Sequence, residues 1–239
     1  MLFIATDVLQ HESDCRFTFD FSKVYWNSRL HTEHERLVRM FKPEDVVVDV
    51  FAGVGPFAIP AGRKGCAVMA NDLNPVSCTY LEKNVHDNRV GFIFYWTSKG
   101  SSQFKVTDLV RTSCEDGRDF IKKIAKRVYD NPLPPFNGPP LSRTQHDKEK
   151  RRTRAFQNGE NFSLKRNLQS RKRIDHFVMN LPDTAISFLE AFRGILAVDE
   201  QYDLTSTYEV MPMVHCHCFT REIDPQDAIA DIRQVPSLP

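Results

Sequence analysis

The stretch Val46-Val47-Val48-Asp49-Val50-Phe51-Ala52-Gly53-Val54-Gly55-Pro56 constrains the fold more than any other part of the chain. A short run of β-branched residues reads as a strand buried on both faces, as in a parallel sheet. The glycines let the backbone turn tightly, and Pro56 leads into a helix. Strand, glycine turn and helix in that order open a βαβ unit, whose next strand runs parallel to the first.

The downstream pattern continues in kind. Ala67 to Ala70 is a second apolar strand ending at Asn71-Asp72, and Asn74-Pro75 opens a helix to about His86. Strands follow near Gly91 to Trp96 and Val106 to Cys114, then a helix after Asp116-Gly117. A strand from Ile174 to Met179 ends in Asn180-Leu181-Pro182, a helix covers Thr184 to Phe192, and Val210 to Phe219 is a further strand. A short helix spans Pro225 to Ile232. Upstream, Phe17, Phe19 and Phe21 fall at strand period between Cys15 and Phe21. Thr32 and Glu35 have capping-box spacing for a helix whose apolar face is Leu37, Val38 and Phe41 and which Pro43 ends. The expected class is α/β, a mostly parallel central sheet flanked by helices in the Rossmann-like manner.

From 130 to 173 the periodicity breaks down. Prolines are followed by a polar tract carrying Lys148, Lys150, Arg151, Arg152, Arg154, Lys165, Arg166, Arg171, Lys172 and Arg173, which reads as a disordered basic insertion. It would be a solvated loop, a contact for RNA phosphates or a nuclear address. Bulk charge decides nothing, because 32 Lys+Arg face 31 Asp+Glu. The six cysteines are scattered without a CxxC pair, and no apolar run reaches bilayer length, so an intracellular protein that does not enter the membrane is expected. No metal site is expected either: His215-Cys216-His217-Cys218 lies on a strand, where only alternate residues converge.

The glycine turn implies a ligand close to the backbone, and Asp72 at the end of the next strand is placed to accept from ribose hydroxyls. Gly53-x-Gly55-x-x-Ala58 also satisfies the dinucleotide fingerprint, so a nicotinamide-dependent oxidoreductase is one reading. Asp49 argues against it. An acid there repels a pyrophosphate but suits the cationic amino acid end of S-adenosylmethionine, and Asp116 is placed to accept from an adenine amino group. The plainer alternative is that these carboxylates cap helices.

At the other end of the site, Asn180-Leu181-Pro182 offers a side-chain carbonyl beside a proline-fixed backbone carbonyl, a clamp for a ring nitrogen or amino group, or simply a turn. A base nitrogen that carries hydrogen needs a proton acceptor, for which a carboxylate of raised pKa is suited. Glu33 is the candidate, with Arg29 to polarise a base oxygen or bind phosphate and Tyr25 to stack. From spacing alone the better reading of Glu33 is a surface glutamate favoured by the helix dipole of a first turn.

The blocks 21–36 (FSKVYWNSRLHTEHER), 49–57 (DVFAGVGPF), 71–75 (NDLNP) and 180–182 (NLP) resemble the eukaryotic and archaeal tRNA (guanine-37 N1)-methyltransferases. The resemblance runs in pieces from about Cys15 to about Asp231. It implies methylation of N1 of the guanine 3′ of the anticodon, with S-adenosylmethionine as cofactor and tRNA as partner. It also implies Glu33 as general base, Tyr25 and Arg29 as pocket residues, and Asn180 and Pro182 as the catalytic Asn-x-Pro. The expected cofactor set is Tyr25, His34, Asp49, Phe51, Gly53, Gly55, Asp72, Leu73, Asp116, Gly117 and Asn180. Residues 1–30 are expected to be a remnant of the family's middle domain and 31–239 its catalytic domain. The family's N-terminal tRNA-binding domain and last strand are not found in this sequence. A monomer is expected, acting in cytoplasm, nucleus and mitochondrial matrix. A second reading is a catalytically weak remnant that binds RNA or a partner.

Overall fold

A computed structural model describes residues 7–90, 92–96, 102–106, 109–136, 170–199 and 202–234. In chain order the strands and helices are β1 (Asp7–Glu12), β2 (Cys15–Asp20), α1 (His31–Met40), β3 (Val46–Asp49), α2 (Ala58–Lys64), β4 (Ala67–Asp72) and α3 (Pro75–Asp87). Then come β5 (Phe92–Trp96), β6 (Ser102–Val106), β7 (Val110–Cys114), α4 (Gly117–Asp130), β8 (His176–Met179), β9 (Ala197–Asp199), β10 (Tyr202–Asp203), β11 (Met213–Cys216) and α5 (Pro225–Gln234). Two short 3₁₀ segments, Ser28–Leu30 and Ala185–Phe192, flank the site.

Five strands make the central sheet in the order β11-β8-β3-β4-β7, with every neighbouring pair parallel. The chain moves outward from β3 through α2, β4 and α3 to β7, then returns along α4 to the other side of β3. That reversal puts a switch point between β3 and β8, where strand ends splay and ligands settle. The core divides accordingly. Val46, Val48 and Val50 pack with Phe120, Ile121 and Ile124 of α4, whereas Val47 faces Leu37 and Phe41, at the C-terminal end of α1, and Phe57, Ala58 and Ala61 around α2. β3 is buried on both sides because helices cover both.

Three expectations are corrected. The strand near Gly91 to Trp96 does not join the parallel sheet: Phe92–Trp96 pairs antiparallel with Ser102–Val106 in a separate hairpin, and the sheet strand begins at Val110. Alternation identifies a strand without saying which partner it takes. The capping box of Thr32 and Glu35 does not form, since Ser28–Leu30 is already helical and Asn27 caps that turn through the Arg29 amide at 3.1 Å. Inside the helix, Thr32 has no orphan amide to receive. Arg171, placed in the solvated tract, is buried and donates to the backbone oxygens of Asp45 (3.3 Å) and Gly65 (3.0 Å), and its backbone bridges Leu133. Residues 137–169 of the expected insertion lie outside the described residues.

The β1–β2 hairpin turns through Ser13 and Asp14, both at positive φ, as a two-residue hairpin turn requires. Its buried face, Cys15, Phe17 and Phe19, shares a cluster with Val54, Ile59 and Val90. Phe21 falls past the strand end and is exposed. Two asparagines of the α3 segment, Asn84 and Asn88, accept the hairpin's Thr18 and Arg16 amides at 2.8 Å each. The hairpin is therefore fastened to the sheet layer. Among the described residues no helix is long and apolar enough to cross a membrane.

Candidate active site

The C-terminal ends of β3, β4, β7 and β8 bring Asp49, Asp72, Asp116 and Asn180 to one edge of the sheet. Gly53 and Gly55 adopt φ +55° and +100°, the left-handed region that glycine occupies without strain. At Gly55 a methyl group would lie 2.7 Å from Ile59 Cδ1 and 2.9 Å from Leu81 Cδ1, so the helix behind the loop leaves room only for hydrogen. At Gly53 nothing among the described residues lies within 4 Å of that position. The loop is tight on its inner side and open on its outer side.

The three acids differ. Asp72 is tied down: Oδ2 accepts the Gly53 amide and Oδ1 the Asn74 amide, both at 2.8 Å. Burial raises its pKa while these two amides oppose the rise. Asp116 caps α4 by accepting the Arg118 and Asp119 amides at 2.8 and 3.3 Å, so the plainer reading of this residue describes a bond it actually makes. Each oxygen of Asp72 retains a further lone pair for a ligand, and in Asp116, where both amides go to Oδ1, Oδ2 is uncommitted. Asp49 is 0% exposed and neither oxygen has a hydrogen-bond partner among the described residues. Burial, then the charge of Asp72, pushes its carboxyl up to about 8; the Phe51 amide pulls the other way without reaching hydrogen-bond geometry.

Asn71 frames this edge. It is buried, and its side chain donates to the Val50 and Glu115 oxygens at 3.2 and 3.0 Å while accepting the Glu115 amide at 3.1 Å. One side chain thereby spaces the ends of β3, β4 and β7. Phe51 meets Phe188 edge to face at 4.9 Å, and a methyl group on Gly117 would come within 2.8 Å of Phe51. Leu73 stands exposed beside Asp72.

The second half of the site comes from the segment 23–36. Val24 is buried and Trp26 stacks on Phe19 at 5.0 Å, which turns the intervening Tyr25 outward to 73% exposure. Its hydroxyl accepts from Asn27 Nδ2 at 3.3 Å. Arg29 is exposed on the turn that follows. His34 points inward, where Nδ1 lies 2.5 Å from Glu12 Oε1 of β1 and the ring meets Phe57 at 4.6 Å. Its Nε2 is buried without a partner among the described residues.

Glu33, from the first turn of α1, is held from two directions. Arg36 donates Nε to Oε2 at 2.6 Å and Nη2 to Oε1 at 2.7 Å, and His217, just past β11, lies 3.0 Å from Oε1 through Nε2. The Arg36 guanidinium beside it holds the carboxyl down at about 2; burial opposes this and His217 adds to it. A raised pKa was the expectation for a base at this position, and the arrangement gives the reverse: Glu33 is ionised and strongly paired.

Asn180 follows β8 directly, and its side chain makes no hydrogen bond among the described residues. The backbone carbonyls on either side of its proline are already engaged. That of Leu181 accepts the Thr184 and Ala185 amides, at 3.0 and 2.7 Å, and that of Pro182 accepts Phe219 at 3.3 Å. Of the expected two-acceptor clamp, the Asn180 side chain is the uncommitted part.

Sequence reasoning missed His217, Asn71, Phe57 and Glu12. His217 was inside the His-Cys-His-Cys run; what marked it was its place just beyond a strand on the C-terminal edge of the sheet.

Comparison with known proteins gives a consistent picture. The family model described as the TRM5/TYW2 methyltransferase domain matches residues 8–132. A tRNA (guanine(37)-N(1))-methyltransferase of Coprinopsis cinerea is 54% identical over 95% of this chain and 47% of its own length. The protein of the same name from Saccharomyces cerevisiae is 44% identical over 90% of this chain and 40% of its own. The chain thus spans less than half the length of these relatives. Among solved structures, P. horikoshii TYW2 in complex with MeSAdo superposes with a TM-score of 0.55 at 16% identity, covering 97% of this chain and 60% of that one, a likeness of fold alone.

Proposed function

The chain belongs to the TRM5/TYW2 methyltransferase family, and from that premise we propose that it methylates N1 of guanine at position 37 of tRNA. The observation that carries the reading is the meeting of two half-sites on one sheet edge. An open glycine loop with three acids stands at one end, and at the other His217 ties Glu33 to the strand end that carries Asn180. The relatives' names supply the nucleotide.

S-adenosylmethionine fits the residues present. The unpartnered, buried Asp49 is a carboxylate that a cationic or hydrogen-bonding ligand beside the loop would stabilise as an anion. A pyrophosphate beside it would instead raise the carboxyl further, so Asp49 matches a cationic ligand better than a dinucleotide. Asp72 would hold the ribose hydroxyls, Asp116 the adenine amino group, and Gly53 and Gly55 the close backbone approach. Phe51, Leu73, Gly117, Tyr25 and His34 would wall the pocket. When bound, the cofactor supplies an electrophilic methyl group.

The chain's own part is to make N1 of guanine a nucleophile. Glu33 takes the N1 proton, Arg29 steadies the charge that develops on O6, and Asn180, fixed by the turn at Pro182, orients the ring. Glu33 is ionised well below neutral pH, so it is already in the accepting form. What limits it is the Arg36 pair, which occupies both oxygens. Residues 31–239 would form the catalytic unit, with 1–30 its connector to a tRNA-recognising part, acting as a monomer wherever tRNA is matured or used: cytoplasm, nucleus or mitochondrial matrix.

The test is methyl transfer from labelled S-adenosylmethionine to unmodified tRNA transcripts with G or A at position 37. Label is expected on the G transcript alone, and Glu33→Gln should lower the rate by about 100-fold or more. Cofactor binding without any label would leave the reading of a catalytically weak remnant in its place.

A further inference from the structure

We infer that His217 is the positioning residue for Glu33, holding its carboxylate toward the base by a hydrogen bond from Nε2 while Arg36 lets go. This rests on the reading of Glu33 as the proton acceptor.

Glu33 has two kinds of partner. Arg36 sits on the same helix three residues on, its side chain is 59% exposed, and it grips both carboxylate oxygens. For either oxygen to take a proton from a base, this grip has to loosen, and a long exposed side chain does so readily. With Arg36 gone, nothing on α1 fixes the rotamer of Glu33. His217 remains, at 3.0 Å from Oε1 and from a different part of the fold.

The ring is itself fixed on several sides. Its backbone amide donates to Met179 at 3.0 Å, extending the β8–β11 pairing by one residue and setting His217 against the strand end that carries Asn180. Phe57, the residue entering α2 from the glycine loop, lies 5.9 Å from the ring and also touches His34. An ionised carboxylate only accepts, so Nε2 carries the hydrogen in this bond. Nδ1 is buried and has no partner among the described residues, so the ring has a single directional bond, the one to Glu33. One imidazole therefore links the proposed base, the Asn-x-Pro strand end and the glycine loop.

The geometry makes a distinction between replacements. A glutamine at 217 reaches with its amide nitrogen about as far as Nε2, whereas an asparagine reaches only to the position of Nδ1. The experiment compares His217→Ala, His217→Gln and His217→Asn with wild type, alone and combined with Glu33→Gln, in methyl transfer to the G37 transcript. Affinity for S-adenosylmethionine is measured in parallel to confirm that each variant is folded. His217→Ala should lower kcat by about 10- to 100-fold with KM for tRNA nearly unchanged, the size of a lost hydrogen bond to a charged group. Glutamine should restore most of the rate and asparagine should not. In the Glu33→Gln background His217→Ala should add nothing, because residues acting as a unit are not additive. A wild-type rate in His217→Ala, equal rates for Gln and Asn, or a full second loss on top of Glu33→Gln would each overturn the assignment. If Glu33→Gln alone keeps the wild-type rate, the base reading fails instead, and the two failures are told apart. Imidazole nitrogen NMR gives an independent readout: the His217 Nε2 resonance should move in Glu33→Gln even without tRNA.

Discussion

The two ends of the site are built on different principles. At the cofactor end, backbone and buried groups set the geometry: Asp72 is tied by two amides, Asp116 by two more, and Asn71 spaces three strand ends. At the base end, exposed or half-exposed side chains from α1 and the segment before it are held by ion pairs and single hydrogen bonds. The first end is pre-formed and costs little to organise when a ligand arrives. The second is adjustable, as the proposed receipt of one nucleotide of a large RNA requires. Changes at the first should register as stability, changes at the second as rate.

Asp49 offers the largest test. Its carboxyl titrates near 8 in the folded chain against 3.8 as the ordinary value. Between those values the folded state keeps a proton that the unfolded state has released, so stability falls as pH rises from about 4 to about 8. The fall is on the order of 5 kcal/mol at most, and Asp72 and Asp175, both raised by burial, act in the same direction. Asp49→Asn should flatten the curve measured by denaturant unfolding across that range, and S-adenosylmethionine should flatten it in wild type. An unchanged slope in Asp49→Asn would place the pH dependence elsewhere.

The glycines sharpen the same contrast within one loop. Gly55→Val forces a side chain against Ile59 and Leu81 at positive φ and should cost about 4 kcal/mol, measured as a fall in unfolding midpoint. Gly53→Ala carries only the backbone strain, about 1 kcal/mol, because its outer side is open. That open side is where the cofactor is proposed to sit, so Gly53→Ala should weaken cofactor binding more than it weakens the fold. Equal stability losses at the two positions would contradict the tight and open sides. Asn71→Ala removes three hydrogen bonds of a buried side chain and leaves the Glu115 amide without its acceptor, a loss of about 3 kcal/mol.

The same division explains what the sequence made legible. Asp72, Asn74 before Pro75, and Asp116 each act on amides two or three residues on, so a strand end followed by a helix start was enough to place them. The parallel sheet followed from the β-branched run at 46–48 and the spacing of strands. The base end is made by contacts between distant parts of the chain: His217 and Glu33 are separated by 184 positions, and Glu12 and His34 meet across a hairpin. No local pattern encodes such pairs. Glu33 came to notice as a first-turn carboxylate close to Arg29 and Tyr25 in sequence and then through the 21–36 resemblance, and its low pKa was invisible until Arg36 was seen folded back on it. His217 was set aside within an apparent metal motif because alternation along a strand tells which face a residue takes, not what waits there.

Arg36 carries the smallest effect on stability and the most direct test of the adjustable end. Its pair with Glu33 is exposed, so Arg36→Ala should change the unfolding midpoint very little. Its effect belongs in the pH–rate profile. A base works in its ionised form, and with Glu33 held at about 2 the acidic limb of the wild-type profile lies below any pH at which the enzyme is assayed. Removing the Arg36 guanidinium, which does most to hold the carboxyl down, should bring the limb upward toward the ordinary carboxylate range, so that activity declines visibly as pH drops through 5 and 4. At neutral pH the freed carboxylate is the stronger base, and the rate should hold or rise as long as His217 keeps it in place. Loss of activity at neutral pH in Arg36→Ala would mean that Arg36 serves the reaction itself rather than letting go of Glu33. Arg36→Ala combined with His217→Ala separates these cases: if His217 positions Glu33, the double variant loses the rate that the single Arg36 variant retains.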